Sequence, residues 1–164
     1  MTSTPPADTD PPPARIVSIN RSPGGIPKHP VPEIDVTRAG LRGDGHNHDK
    51  HNTPLQAVSL IDLDDLDDLR EEGFDVYPGA TGENVTLEGL DIDAASPGDR
   101  LRFAGGVELE LSRRRNPCYV LDAISPALKT AIRGRCGFYA RVVTPGRLRR
   151  GEPVRLLTPV ATPS

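Results

Sequence analysis

Proline and glycine punctuate this sequence so densely that the regular elements between them must be short. Eighteen Pro and sixteen Gly are dispersed without a period through 164 residues. Each Gly favours a turn, and each Pro removes a backbone donor and fixes φ. Many short elements separated by turns point to a β-rich fold rather than a helical bundle. The length suits one domain with a real core. That core must be aliphatic, because the apolar fraction is 35% and the chain has no Trp and only three Tyr and three Phe.

The stretches that remain fit this expectation. Residues 15–20, 55–61, 85–87, 101–103, 107–112, 138–143 and 154–157 read as strands, and 31–36 as another, interrupted by Pro32. The short turn at 104–106 predicts a hairpin between two of them. Leu63, Leu66 and Leu69 recur every three residues among carboxylates, which predicts an amphipathic helix capped by Asp62 and ended by Gly73. Its acidic run lacks the ligand pattern and central Gly of a calcium loop and reads as a solvated helix face. A second short helix is expected over 126–132, with Ser125 as N-cap. Residues 1–14 and 158–164 are polar and Pro-rich and are expected to be loose tails around a domain spanning 15–157.

Charge and cysteine usage narrow the function. A net charge of −3 gives no support to general nucleic-acid binding. Two Cys make no disulfide framework, so a reducing compartment is expected. No apolar run has transmembrane length and the N-terminus lacks the pattern of a signal peptide, so the expected location is cytoplasmic, away from membranes.

Candidate chemistry concentrates in Arg113-Arg114-Arg115-Asn116-Pro117-Cys118-Tyr119. Cys118 follows a strand-like run, and adjacent cations favour a thiolate while offering bidentate contacts to a phosphate or carboxylate. The alternative is an inert, buried Cys below a solvated Arg run. Cys136 also has Arg neighbours, Arg133 and Arg135. Asp44, His46, His48 and His51 form a second group, whose imidazoles and carboxylate suit a divalent metal such as zinc or, equally, a self-bracing polar loop. Glu83 and Asn84 sit where a Gly-rich loop enters a strand and serve either as ligand contacts or as loop braces.

Taken in order, several motifs resemble one family. They are Gly40-Leu41-Arg42-Gly43-Asp44 with the His residues after it, Ala57-Val58-Ser59-Leu60, Pro78-Gly79-Ala80-Thr81-Gly82-Glu83-Asn84, Pro117-Cys118 after the Arg run, and Gly137-Phe138-Tyr139-Ala140-Arg141-Val142. Together they are similar to the MOSC domain, the module named for the C-terminal region of molybdenum cofactor sulfurases. The resemblance covers roughly residues 15–157. It implies a mainly β fold, a MOSC-type β-barrel with one or two short helices. It also implies a cytosolic protein that binds the molybdenum cofactor (molybdopterin) or carries sulfur for it. Cys118 would be the thiolate ligand to the metal or the persulfide carrier, with Arg113, Arg114, Arg115, Asn116 and Arg135 toward the cofactor's phosphate. Asp44, His46, His48, Glu83 and Asn84 would line the same pocket. Members often carry His-Gly-Gly where this chain has His51-Asn52-Thr53. No pyridoxal-phosphate desulfurase or electron-transfer domain is expected in the chain itself.

Three function classes follow. One is a cofactor-binding or carrier protein, partnered by a cysteine desulfurase or a molybdoenzyme. The second is an enzyme, either a sulfur-transfer protein or a molybdenum-dependent reductase of N-hydroxylated compounds fed by an external electron donor. The third is a zinc protein using His46, His48 and His51, indifferent to Cys118.

Overall fold

The computed structural model describes residues 13–45, 54–117 and 119–158. Eleven strands run through them: β1 (Arg15–Arg21), β2 (His29–Val31), β3 (Glu33–Thr37), β4 (Gly40–Leu41), β5 (Val58–Asp62), β6 (Val85–Glu88), β7 (Arg100–Phe103), β8 (Glu108–Arg114), β9 (Phe138–Thr144), β10 (Gly146–Arg149) and β11 (Val154–Leu157). Two helices, α1 (Leu63–Glu71) and α2 (Leu128–Ala131), accompany them. The fold is mainly β, as the density of turn residues requires. Pro32 divides the expected 31–36 strand into β2 and β3, because it has no N–H for a ladder. The β7–β8 hairpin forms as expected.

The expected barrel is not a closed ladder. Eight strands lie in the order β11-β7-β8-β9-β5-β6-β1-β2, and β10-β3-β4 form a separate sheet. The start of β1, next to the β2 edge of the large sheet, meets the residue before β11 at the other edge in one bridge, Arg15 to Pro153, with Gly151 donating to the Ile16 carbonyl and Val154 to that of Ala14. The Ile16 amide also donates to the Glu152 carbonyl, so the bonds of this seam flank Pro153, whose lack of an amide hydrogen falls on the side facing away from β1.

All strand pairs are antiparallel except β5 with β6, whose connection contains α1. Leu66 and Leu69 are buried on one face of α1, as their spacing requires. Asp62 occupies the N-cap position, yet its side chain makes no capping bond. Its Oδ2 instead accepts from the Ile92 amide at 2.8 Å. The second helix begins at Leu128, later than expected, because the Ser125 carbonyl already accepts the Leu128 amide in a preceding turn. A 3-10 turn at Tyr119–Ala123, not anticipated from sequence, joins the end of β8 to α2.

Two apolar clusters result. The larger, with Ile16, Leu60, Leu87, Leu101, Leu109 and Phe138, fills the inside of the sheet. The smaller packs Ile61, Leu66, Leu69, Leu128, Ile132 and Cys136 between the helices and the outer side of β5. Gly137 is what lets β9 start against β5. Its φ is +83°, and a Cβ there would lie 1.8 Å from the Leu60 carbonyl oxygen.

A buried polar network ties the loops at one end of the sheet. Asp44 Oδ1 accepts from the Ser22 amide at 3.0 Å and from Lys28 Nζ at 2.8 Å. Its Oδ2 accepts from Lys28 Nζ at 2.6 Å and from Asn84 Nδ2 at 3.0 Å. Asn84 Oδ1 takes the Ser59 amide at 3.0 Å, linking this group to β5. Glu83, fully buried, accepts from the Gly79 amide (2.8 Å), the Thr81 hydroxyl (2.7 Å) and the Thr86 hydroxyl (2.8 Å). Burial lowers the Lys28 pKa, with the Asp44 carboxylate opposing it.

Two predictions follow from these contacts. Gly137→Ala should lower stability by more than about 2 kcal/mol, since a left-handed backbone and a clash with backbone add. Gly98→Ala, also at positive φ but with nothing within 4 Å, should cost only about 1–2 kcal/mol; urea midpoints of the two variants check the difference. Lys28→Met should cost about 3–5 kcal/mol, because it strands the Asp44 carboxylate in the interior. Adding Asp44→Asn should restore part of that loss, a coupling measurable by a double-mutant cycle.

Candidate ligand-binding site

The site is built where β8 ends. A register shift between Leu111 and Arg113 sets Arg113 opposite Tyr139 and Arg114 opposite Phe138. Beyond it the three Arg residues alternate in direction, as extended backbone dictates. Arg113 and Arg115 both reach Tyr139, with guanidinium carbons 5.5 and 5.9 Å from the ring centre. Arg114 lies over Phe138 at 4.8 Å and holds the carbonyls of Asp93 and Ala95 at 2.7 and 2.8 Å. Arg115 is fastened by its amide to the Gly137 carbonyl (2.9 Å), and by Nη1 and Nη2 to the carbonyls of Cys136 and Thr81, both at 3.0 Å. Its Nε is buried and finds no partner among the described residues.

These residues open onto a pocket of about 520 Å³. Arg114 and Arg115 face it from the end of β8, and Lys129 and Arg133 from α2 and the turn after it. Asp93 is the one carboxylate among the described lining residues, which also include Asn116, Pro117 and Cys136. Four cations against one carboxylate among the described lining residues make a cavity suited to an anion bearing several acceptor oxygens. Burial raises the Cys136 pKa, with Arg115 pulling it down, so this residue is a neutral thiol at pH 7. Burial also disfavours the Arg115 charge, but Cys136, Tyr139 and Glu83 outweigh it and the Arg115 pKa is raised.

The residues singled out from sequence divide into groups. Arg114, Arg115 and Asn116 face the pocket, whereas Arg113 is exposed and packs on Tyr139. Arg135 is paired with Glu72 at 2.6 and 3.1 Å and is not part of the pocket wall. Asp44, Glu83 and Asn84 come together, but as the buried network behind Arg115, whose Nη2 binds the Thr81 carbonyl beside Glu83. Cys118, His46, His48 and His51 lie outside the described residues. Pro117, which precedes Cys118 in the chain, faces the pocket.

Sequence reasoning missed Lys28, Lys129, Arg133 and Asp93. Lys129 and Arg133 stand at i and i+4 beside an expected helix, a spacing that puts two cations on one face. Nothing local marks Lys28, because its partner Asp44 is sixteen residues away.

Among the described residues no helix is long and apolar enough to cross a membrane. A family model for the MOSC domain matches residues 47–155. A protein named Reductase from Gibberella moniliformis is 33% identical over 132 residues, which cover 76% of this chain and 24% of that protein. The uncharacterized protein YflK of Bacillus subtilis is 31% identical over 143 residues, covering 82% of this chain and 63% of YflK. The chain thus spans less than two thirds of either curated relative. Among solved structures, YiiM from Geobacillus stearothermophilus superposes with a TM-score of 0.72 and 30% identity over 88% of this chain and 75% of that one. The YUAD protein of Bacillus subtilis gives a TM-score of 0.77 at 17% identity, over 90% of this chain and 97% of that one, and so shares the fold. The Arg run, the glycine-rich Glu83-Asn84 turn and the mainly β scaffold that joins them are therefore those of a protein belonging to the MOSC domain family.

Proposed function

We propose that this chain binds the molybdenum cofactor, or carries sulfur for it, in the pocket at the end of β8. The observation that carries the reading is the convergence of Arg114, Arg115, Lys129 and Arg133 on one cavity whose wall includes Pro117, the residue before Cys118. The cofactor, when bound, supplies a thiophilic metal centre capable of oxygen- or sulfur-atom chemistry.

Everything else is done by the chain. Arg114 and Arg115 supply the charge that holds the phosphate. Lys129 and Arg133 add charge from the opposite element. Asn116 supplies a neutral polar group at the rim. Asp44, Lys28, Glu83 and Asn84 keep the wall behind Arg115 rigid. Cys118 is the thiolate that ligates the metal or bears the persulfide. A second reading, a molybdenum-dependent reductase of N-hydroxylated compounds with an external electron donor, draws on the fungal relative's name.

Purification from a host that makes the cofactor, followed by oxidation and pterin fluorescence, tests the proposal. Wild type should carry pterin, and Cys118→Ser and Arg115→Met should each carry about tenfold less while keeping a wild-type far-UV spectrum. Wild type without pterin would overturn the cofactor reading. Zinc in its place, lost on substituting His46 and His48, would favour the histidine-loop alternative.

A further inference from the structure

Asp93 belongs to the pocket wall and also to a second, acidic cluster. Carboxylate oxygens of Asp62, Asp91 and Asp93 all lie within 4.8 Å of one another. They come from two separate segments: Asp62 ends β5, while Asp91 precedes and Asp93 lies within the turn at Ile92–Ala94. Asp62 is 4% exposed. Its Oδ2 is bonded to the Ile92 amide, but its Oδ1 is buried with no hydrogen-bond partner among the described residues. Asp65, one turn along α1, shares a hydrogen bond with Asp93, and burial together with that contact pushes its pKa up to about 9.

A buried carboxylate oxygen without a donor is costly, and neighbouring carboxylates raise the cost. Burial is the main reason that the Asp62 pKa is pushed up to about 7, and repulsion from Asp93, Asp91 and Asp64 adds to it. Arg114 does not relieve this cluster, since it binds the backbone carbonyls of Asp93 and Ala95 rather than a carboxylate.

We propose that Asp62, Asp91 and Asp93 form a binding site for a hard divalent cation of the calcium type. The donor set is all oxygen, which suits Ca²⁺, Mg²⁺ or Mn²⁺ and not a thiophilic metal. Ca²⁺ takes oxygen ligands at about 2.3–2.6 Å in flexible geometry, which three carboxylates with oxygens within 4.8 Å of one another allow. Exposed Asp91 gives the ion a route in, and the buried Asp62 carboxylate, whose Oδ1 has no hydrogen-bond partner among the described residues, supplies the inner ligand. Occupation would neutralise Asp93, the carboxylate facing an otherwise cationic pocket, and fix the turn whose carbonyls position Arg114. The site stands independently of what that pocket binds.

The test uses the full chain, stripped with chelator and titrated with CaCl₂ by calorimetry, with melting temperature as a second readout. Wild type should bind one Ca²⁺ per chain and melt higher with it. Asp62→Asn and Asp91→Asn should each weaken binding by about 10- to 100-fold. Asp68→Asn, on the exposed face of α1, should bind as wild type does. Asp91 is exposed, so its variant reports on the site even if Asp62→Asn folds poorly. No calcium heat and no melting shift in the wild type, or an Asp91→Asn protein that binds as tightly as wild type, would overturn the proposal.

Discussion

The Lys28–Asp44 ion pair is the contact on which the functional end of the molecule rests. Both side chains are nearly removed from water, at 10% and 3% exposure. Such a pair contributes little net stability by itself, because desolvation consumes most of the Coulombic gain. Its effect is positional. Each Asp44 oxygen accepts two hydrogen bonds, from Ser22, Lys28 and Asn84, so the loops around residues 22–28, 44 and 84 have one satisfied arrangement. Any displacement would leave a buried charge without a partner.

Arg115 extends the same logic to the pocket. Two of its three nitrogens are spent on the carbonyls of Cys136 and Thr81, which come from separate segments of the chain. The cation is held by the scaffold and needs no carboxylate to stay in place, so its charge remains available to a ligand. Arg114 is anchored in the same way to the carbonyls of Asp93 and Ala95. Carbonyl anchoring lets both residues border one cavity while bonded to backbone carbonyls rather than to carboxylates. Arg135 shows the contrast: its pairing with Glu72 removes it from that role.

Glycine completes the arrangement by allowing close approach. At Gly79 a Cβ would lie 2.4 Å from the Lys28 carbonyl oxygen, and at Gly137 the constraint is tighter still. These positions bring the loop before β6 against the Lys28 segment, and the start of β9 against β5. Without that proximity neither the Thr81 nor the Cys136 carbonyl would reach Arg115.

Local sequence by itself determined the class of element at most positions. Dispersed Pro and Gly required short strands, the alternation in β8 and the leucine spacing in α1 are local periods, and the Arg run marked the candidate site. The ordered motifs were enough to place the chain in its family. Tertiary structure alone decided which charges act together. It separated Arg135 from Arg114 and Arg115, and it brought Lys129 and Arg133 across to them. It placed Asp44, Glu83 and Asn84 behind the wall rather than on it, and left the large sheet joined by one bridge at Pro153 instead of closed. It also turned Asp62 inward from a helix whose acidic face reads as solvated, and set it beside Asp91 and Asp93. The reason is that hydrophobic period and turn propensity act within a few residues. Charge pairing, desolvation and cavity shape depend on distances between segments tens of residues apart, which no local pattern encodes.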